Sequence, residues 1–180
     1  MVDTGVQKAK FIEDVDAYMS GKTVEDALSE LQRKYSRYKL IERDLQEQRI
    51  RYSTKLPDVQ RSLEAVEMLC EKRDGENAAE ETLVKYQLTE ATFADASVTS
   101  PESVYLWLGA NVMLEYPLDE AKELLETNVH ACESGLEANA RDLAVLKDNM
   151  TIVEVNMSRI YNYDVRKRRN AENQAAVKAK

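Results

Sequence analysis

The sequence predicts a mainly α-helical chain with a small β region: a long antiparallel two-helix coiled coil joined through two β-hairpins. Three observations carry this reading. Only five Gly and three Pro occur among 180 residues, 32% of which are charged, a composition suited to long helices. Apolar residues recur at heptad spacing through two segments of about 50 residues each. Between them lies a stretch rich in β-branched and aromatic residues, centred on VYLWLGANVMLEY at residues 104–116.

That central stretch reads as a hairpin. Alternation puts Val104, Leu106 and Leu108 on one face and Tyr105 and Trp107 on the other, so both faces call for burial. Gly109-Ala110-Asn111 supplies the turn, and Val112, Leu114 and Tyr116 lie on the returning strand. An earlier hairpin is suggested by Val84, Tyr86 and Leu88, which alternate with Lys85 and Gln87. Its partner segment, residues 92–98, has Ala94, Ala96 and Val98 on one face. The turn between them, Thr89-Glu90-Ala91, lacks the Gly, Asn or Asp that tight turns favour. Thr99-Ser100-Pro101 leads from one hairpin to the next. Two-stranded hairpins are marginal in water, and unpaired edges invite other strands. Residues 80–117 therefore form the expected oligomerisation region. Val104, Leu106, Trp107, Leu108, Val112, Leu114 and Tyr116 are its candidate contacts.

The first long helix is expected over residues 23–73. Thr23 can cap it, with Glu25 and Asp26 in the first turn favoured by the helix dipole. With Leu28 at position a, the a positions are Leu28, Tyr35, Glu42, Arg49, Leu56, Leu63 and Cys70. The d positions are Leu31, Tyr38, Leu45, Tyr52, Val59, Val66 and Arg73. The phase weakens at Glu42 and Arg49, where Ile41 and Ile50 sit one place off. Pro57 predicts a kink rather than a stop. Gly75 is the expected left-handed cap in the Asp74-Gly75-Glu76-Asn77 linker.

The second helix is expected over residues 118–168, with Asp119 and Glu120 in its first turn. Its a positions are Val129, Leu136, Leu143, Met150 and Met157. Its d positions are Leu125, Cys132, Asn139, Leu146, Val153 and Ile160. Asn139 is the polar member, a residue that fixes register at a cost in stability. Residues 169–180 are expected to be a disordered tail. Residues 1–22 are expected to be a flexible segment, with an apolar stripe of Phe11, Ile12, Val15, Tyr18 and Met19. That stripe suits docking on a neighbouring helix, or a mobile sticky arm.

Two segments of about 50 residues, roughly 75 Å each at helical rise, pair along their length and leave the hairpins at one end. At the other end Leu28, Leu31, Met157, Ile160, Tyr161 and Tyr163 have no evident third element to cover them. Such apolar tips read as an interaction surface.

Chemistry-bearing patterns are sparse. The single histidine, His130, reads as a surface side chain and has no metal-ligand spacing around it. Cys70 and Cys132 fall on the seams and read as small buried hydrophobes on opposing helices. Two cysteines make no disulfide framework and favour a reducing compartment. No phosphate-cradling glycine loop occurs. Glu80-Glu81 and Asp119-Glu120 read as solvated or dipole-facing carboxylates. Asn149-Met150-Thr151 and Asn156-Met157-Ser158 match the N-glycosylation pattern, and inside a helix both read as chance. The basic run Arg166-Lys167-Arg168-Arg169 suits a helix C-terminus, with an acidic partner segment or nuclear import as further readings. Net charge is −8 and the pI about 4.9, which argues against nucleic acid. No apolar run is long enough to span a membrane. No cofactor or metal is expected, and the chain reads as a non-enzymatic oligomer.

Five stretches resemble the α-class subunits of prefoldin. They are FIEDVDAYM (11–19), KYSRYKLIE (34–42), LPDVQRSLE (56–64), VYLWLGANVMLEYPLDEAKELLETN (104–128) and IVEVNMSRIYNYDVRKRR (152–169). They follow the family's order across most of the chain, and the LWLGANVMLEY and EVNMSRIYNYDV blocks are the specific ones. The linker over residues 74–82 and the turn of the first hairpin depart from the pattern. The resemblance implies a heterohexamer of two α-class and four β-class subunits, whose strands complete an inter-subunit β-barrel. It implies coiled-coil tips that hold non-native actin and tubulin and pass them to the cytosolic chaperonin without nucleotide hydrolysis. A cytoplasmic protein is expected, with a nuclear pool as the second location. The rival readings are a scaffold in a different prefoldin-like assembly and a coiled-coil tether with no folding role.

Overall fold

The structure is a computed structural model that describes residues 8–75, 81–99 and 102–178. The first seven residues, Glu76-Asn77 of the linker, Glu80, the Ser100-Pro101 step and the last two residues lie outside the described set. The element order is α1 (Val15–Met19), α2 (Val24–Asp74), β1 (Thr82–Thr89), β2 (Thr92–Val98), β3 (Ser103–Gly109), β4 (Val112–Pro117) and α3 (Leu118–Lys178). The expected class therefore stands: a long helix, two antiparallel hairpins and a second long helix.

Local chemistry explains the ends of α2. The Thr23 hydroxyl accepts from the Asp26 backbone N–H at 3.1 Å and donates to the Asp26 carboxylate at 2.7 Å, closing the first turn. Pro57 does not end the helix, which continues to Asp74. Gly75 is corrected: it does not take the left-handed conformation expected of a cap. Its N–H instead donates to the Lys72 carbonyl at 3.3 Å. The described glycines with positive φ are Gly21, at +80° in the turn between α1 and α2, and Gly109, at +92° at the end of β3.

The tail is also corrected. Residues 169–178 continue α3 rather than forming a disordered segment. The sequence RNAENQAAVK holds good helix formers and no Gly or Pro, so nothing in it stops the helix from propagating.

The chain divides into two units, Met1–Ile50 with Glu137–Lys180, and Arg51–Leu136. α2 and α3 contribute to both, and in each they run antiparallel. In the first unit the core is Met19, Ala27, Leu31, Tyr38, Leu45, Leu146, Met150, Val153 and Ile160. Asn139 donates to the Leu45 carbonyl at 2.9 Å across this helix pair. In the second unit the core is Val66, Leu118, Ala121 and Leu125, with Val104, Leu106 and Tyr116 of the hairpin packed against it. Here the Tyr52 ring lies on Gly135, leaving no room for a side chain at that glycine. The d positions of α3 from Leu125 to Ile160 are all buried, while most a positions are half-buried. Cys132 is buried and Cys70 half-buried, as expected of seam positions.

Candidate functional site

The hairpins present the larger apolar surface. β3 and β4 pair Val104 with Tyr116, Leu106 with Leu114, Trp107 with Met113 and Gly109 with Val112. The two-residue turn has φ of 49° at Ala110 and 62° at Asn111, the left-handed pair that matches strand twist in a type I′ turn. A register shift between Trp107 and Gly109 expels Leu108 from the ladder. This corrects its assignment to the face of Val104 and Leu106: it is exposed, whereas those two pack on the core. Tyr105, Trp107, Val112, Met113 and Leu114 are exposed as well.

The first hairpin repeats the register shift but not the left-handed turn. β1 and β2 pair Tyr86 with Ala94, Gln87 with Phe93 and Thr89 with Thr92, with the shift falling between Gln87 and Thr89. Leu88 is thus expelled as Leu108 is. A tight turn forms here without Gly, Asn or Asp, because neither Glu90 nor Ala91 takes a positive φ. Leu83, Val84, Tyr86, Leu88 and Phe93 are exposed. An apolar surface of this extent normally marks contact with other chains.

Charge secures the junction beneath β3 and β4. The Arg73 guanidinium donates to Asp119 at 2.9 and 3.1 Å and to Asp74 at 2.9 and 3.2 Å. These hydrogen bonds hold both carboxyls below the ordinary aspartate range and raise the guanidinium. Lys122 pairs with Glu67 at 3.3 Å, which raises the ammonium. The polar d residue Arg73 is therefore an ion-pair anchor.

The first unit holds the other expected surface, and its cover is corrected. Leu31 and Ile160 are buried, and Leu28, Met157 and Tyr163 pack half-buried against the same core; Tyr161 alone of the six is exposed, at 61%. The third element that seemed missing is the N-terminal segment, which is docked rather than flexible over residues 8–22. Met19 of α1 is buried in the core, with Ile12, Val15 and Tyr18 packed around it. Asp14 caps α1 by accepting from the Ala17 N–H at 3.1 Å.

Ahead of α1 the chain is held by its backbone. The Asn149 carbonyl oxygen accepts from the Ala9 N–H at 2.8 Å. Asn156 brackets the strap: its carbonyl oxygen accepts from the Ile12 N–H at 3.0 Å and its amide donates to the Lys10 carbonyl at 2.8 Å. Arg159 donates to the Glu13 carbonyl at 2.8 Å and stacks 4.7 Å from the Phe11 ring centroid. Among the described residues the Asn149 amide nitrogen has no acceptor. Beside the strap, a cavity of about 850 Å³ is lined by Phe11, Tyr18, Lys34, Arg37, Tyr38 and Ile41, among others.

Sequence reasoning passed over Asn149 and Asn156, reading both as chance glycosylation matches. They are 4% and 1% exposed, and they are the strap's clasp. The available signal was two asparagines seven residues apart, each immediately before an a position. Elsewhere His130 is exposed, as expected. Among the described residues no group of His, Cys, Asp and Glu is placed to hold a metal ion, and no helix is long and apolar enough to cross a membrane. Arg168 pairs with Asp164 one turn back at 2.7 Å, while Arg166 and Lys167 line a groove with Glu13, Asp14 and Asp16.

Comparison with known proteins agrees with this architecture. The family pattern described as Prefoldin subunit matches residues 38–163. Prefoldin subunit 3 of Mus musculus is 38% identical over 178 residues, covering 97% of this chain and 89% of the relative. Prefoldin subunit 3 of Drosophila melanogaster is 37% identical over 176 residues, covering 96% and 88%. A probable prefoldin subunit 3 of Caenorhabditis elegans is 37% identical over 169 residues, covering 93% and 90%. With two hairpins between two long helices and near full-length identity to these relatives, the chain belongs to the prefoldin subunit family.

Proposed function

We propose that this chain is a subunit of a heterohexameric prefoldin, with one further α-class and four β-class partners. Its strands join theirs in a β-barrel platform, and its helix-end surface captures non-native chains such as nascent actin and tubulin for the cytosolic chaperonin, without nucleotide. The observation that supports this best is the apolar surface of the hairpins, where Tyr105, Trp107, Met113, Leu83 and Phe93 stand exposed on the chain alone. Such residues need partner strands, and prefoldin subunits work with other prefoldin subunits.

Capture is assigned to the first unit on its exposed Tyr161 and Phe11 and the cavity beside Phe11. Leu28, Leu31, Met157, Ile160 and Tyr163 support that surface from beneath. Each contact of this size is weak, and several subunits acting on one chain gain by effective concentration. Weak multivalent contacts also suit handover, because they release one at a time.

The test is reconstitution. Leu106→Asp places charge against the hairpin core and should abolish the hexamer in native mass spectrometry while leaving helix content intact. Tyr161→Ser should preserve the hexamer and reduce suppression of denatured-actin aggregation. A normal hexamer from the first variant removes the barrel reading. Unchanged suppression by the second removes Tyr161 from the capture surface.

A further inference from the structure

The strap over residues 8–13 is a non-helical peptide that contributes Ala9 and Ile12 to the edge of the core. Lys8, Lys10, Phe11 and Glu13 are exposed, and only Ala9 and Ile12 are half-buried. What α3 grips is backbone: two N–H groups and two carbonyls, read by Asn149, Asn156 and Arg159. Every polypeptide offers those groups, so the polar part of the grip does not depend on the strap's own sequence, while Ala9 and Ile12 add apolar packing and Phe11 a ring against Arg159.

The spacing fits the same idea. Asn149 and Asn156 are seven residues apart, about 10.5 Å of helical rise. Ala9 and Ile12 are three residues apart, about 10 Å of extended chain. One heptad of α3 therefore matches three residues of any extended strand running parallel to it. Both asparagines are more than nine-tenths buried by this arrangement. A buried amide is costly unless it is bonded, so the clasp favours an occupied state. A largely exposed surface segment opens more readily than the core, whereas Met19 anchors α1 behind it.

We propose that the Asn149–Asn156–Arg159 face is a backbone-reading site for an extended segment of an unfolded polypeptide, and that residues 8–13 are its intramolecular occupant. The incoming segment takes the strap's place in the same parallel register, and an aromatic residue at the Phe11 position stacks on Arg159. This rests on the capture of unfolded chains proposed above, and it adds where the backbone is held and what must leave first. The strap keeps the clasp bonded when no client is present and sets a threshold for capture.

The experiment uses the full chain assembled with its partner subunits, and reduced carboxymethylated α-lactalbumin as a permanently unfolded probe. Hydrogen exchange at the Ala9 and Ile12 amides is followed with and without the probe, while binding is measured separately by fluorescence anisotropy. Displacement predicts that protection at both amides falls as the probe saturates. Deleting residues 1–13, which keeps Asp14 and α1, should tighten probe binding by about tenfold if the strap occupies the site about nine-tenths of the time. Asn156→Ala in the deleted background should cancel that gain, with helix content checked by circular dichroism. Probe binding with unchanged protection at Ala9 and Ile12, or a gain on deletion that survives Asn156→Ala, overturns the clasp while leaving capture elsewhere on the chain intact. Absence of any probe binding by the wild-type assembly overturns the capture function itself.

Discussion

Gly135 lies inside α3, where glycine costs about 1 kcal/mol against alanine, and the structure supplies the reason it is there. A Cβ at that position would sit 2.8 Å from Cζ, 2.9 Å from Cε2 and 3.1 Å from Cε1 of the Tyr52 ring. Gly135→Ala therefore gains about 1 kcal/mol of helix propensity and loses about 1–3 kcal/mol to overpacking. The expected net effect runs from neutral to a loss of about 2 kcal/mol. Removing the ring first changes the sign. In a Tyr52→Ala background the same Gly135→Ala change should stabilise by about 1 kcal/mol, which makes the coupling between the two positions about 1–3 kcal/mol. The assay is urea denaturation of the four members of the cycle, followed by far-ultraviolet circular dichroism. Protein concentration must be matched, because association with partner subunits shifts apparent stability. If Gly135→Ala stabilises the otherwise unchanged chain by the full propensity gain, the ring yields freely and the close approach does not explain the glycine.

Three further outcomes are expected. Asn139→Leu removes one cross-helix hydrogen bond to the Leu45 carbonyl but also a buried, unpartnered side-chain oxygen; it should raise stability by about 1 kcal/mol, and a lower melting temperature would contradict this. Ala110→Gly, at φ 49°, should stabilise the β3–β4 turn by about 1 kcal/mol because the left-handed conformation carries no Cβ penalty for glycine, measured as a rise in melting temperature of the assembled complex. Asp119 has its carboxyl held below the ordinary value of 3.8 by Arg73, so its contribution is present above that value and is lost as pH falls through the lower folded value. Acid titration should therefore cost the wild type more stability than Asp119→Asn, with the difference small and salt-sensitive because the pair is solvent-exposed; parallel acid curves would exclude the ion pair as a stabilising contact.

Period alone made much of this fold legible. The heptad d positions of α3 carry the buried seam, and the two-sided apolar character of Val104–Leu108 marked a strand that needs more than its own hairpin. Leu108 was misplaced because strict alternation cannot foresee a bulge, which shifts the register between Trp107 and Gly109. Gly75 failed as a left-handed cap because composition shows where a helix stops but not the dihedral angle at which it does so. The helix-end surface was the larger miss. Leu31 and Ile160 look uncovered when the two helices are the only elements considered, and the cover comes from the N-terminal segment, close to Leu31 in the chain but more than a hundred positions from Ile160. Asn149 and Asn156 satisfy the backbone of that cover, so their role is invisible until the strap is in place.

The matching bulges carry a consequence for neighbour choice. Leu88 and Leu108 leave their ladders at equivalent steps, each one residue before the position that pairs across a two-residue turn. The two hairpin ends share this register shift but not the turn conformation, because positive φ falls at Gly109, Ala110 and Asn111 and at none of Thr89, Glu90 and Ala91, so a partner strand meets two different backbone shapes. Side chains add to the difference at equivalent places, among them Gln87 against Trp107, Thr89 against Gly109, and Phe93 against Met113. Exchanging these three pairs should change which partner strand each hairpin accepts without abolishing association, which makes them an address rather than an adhesive.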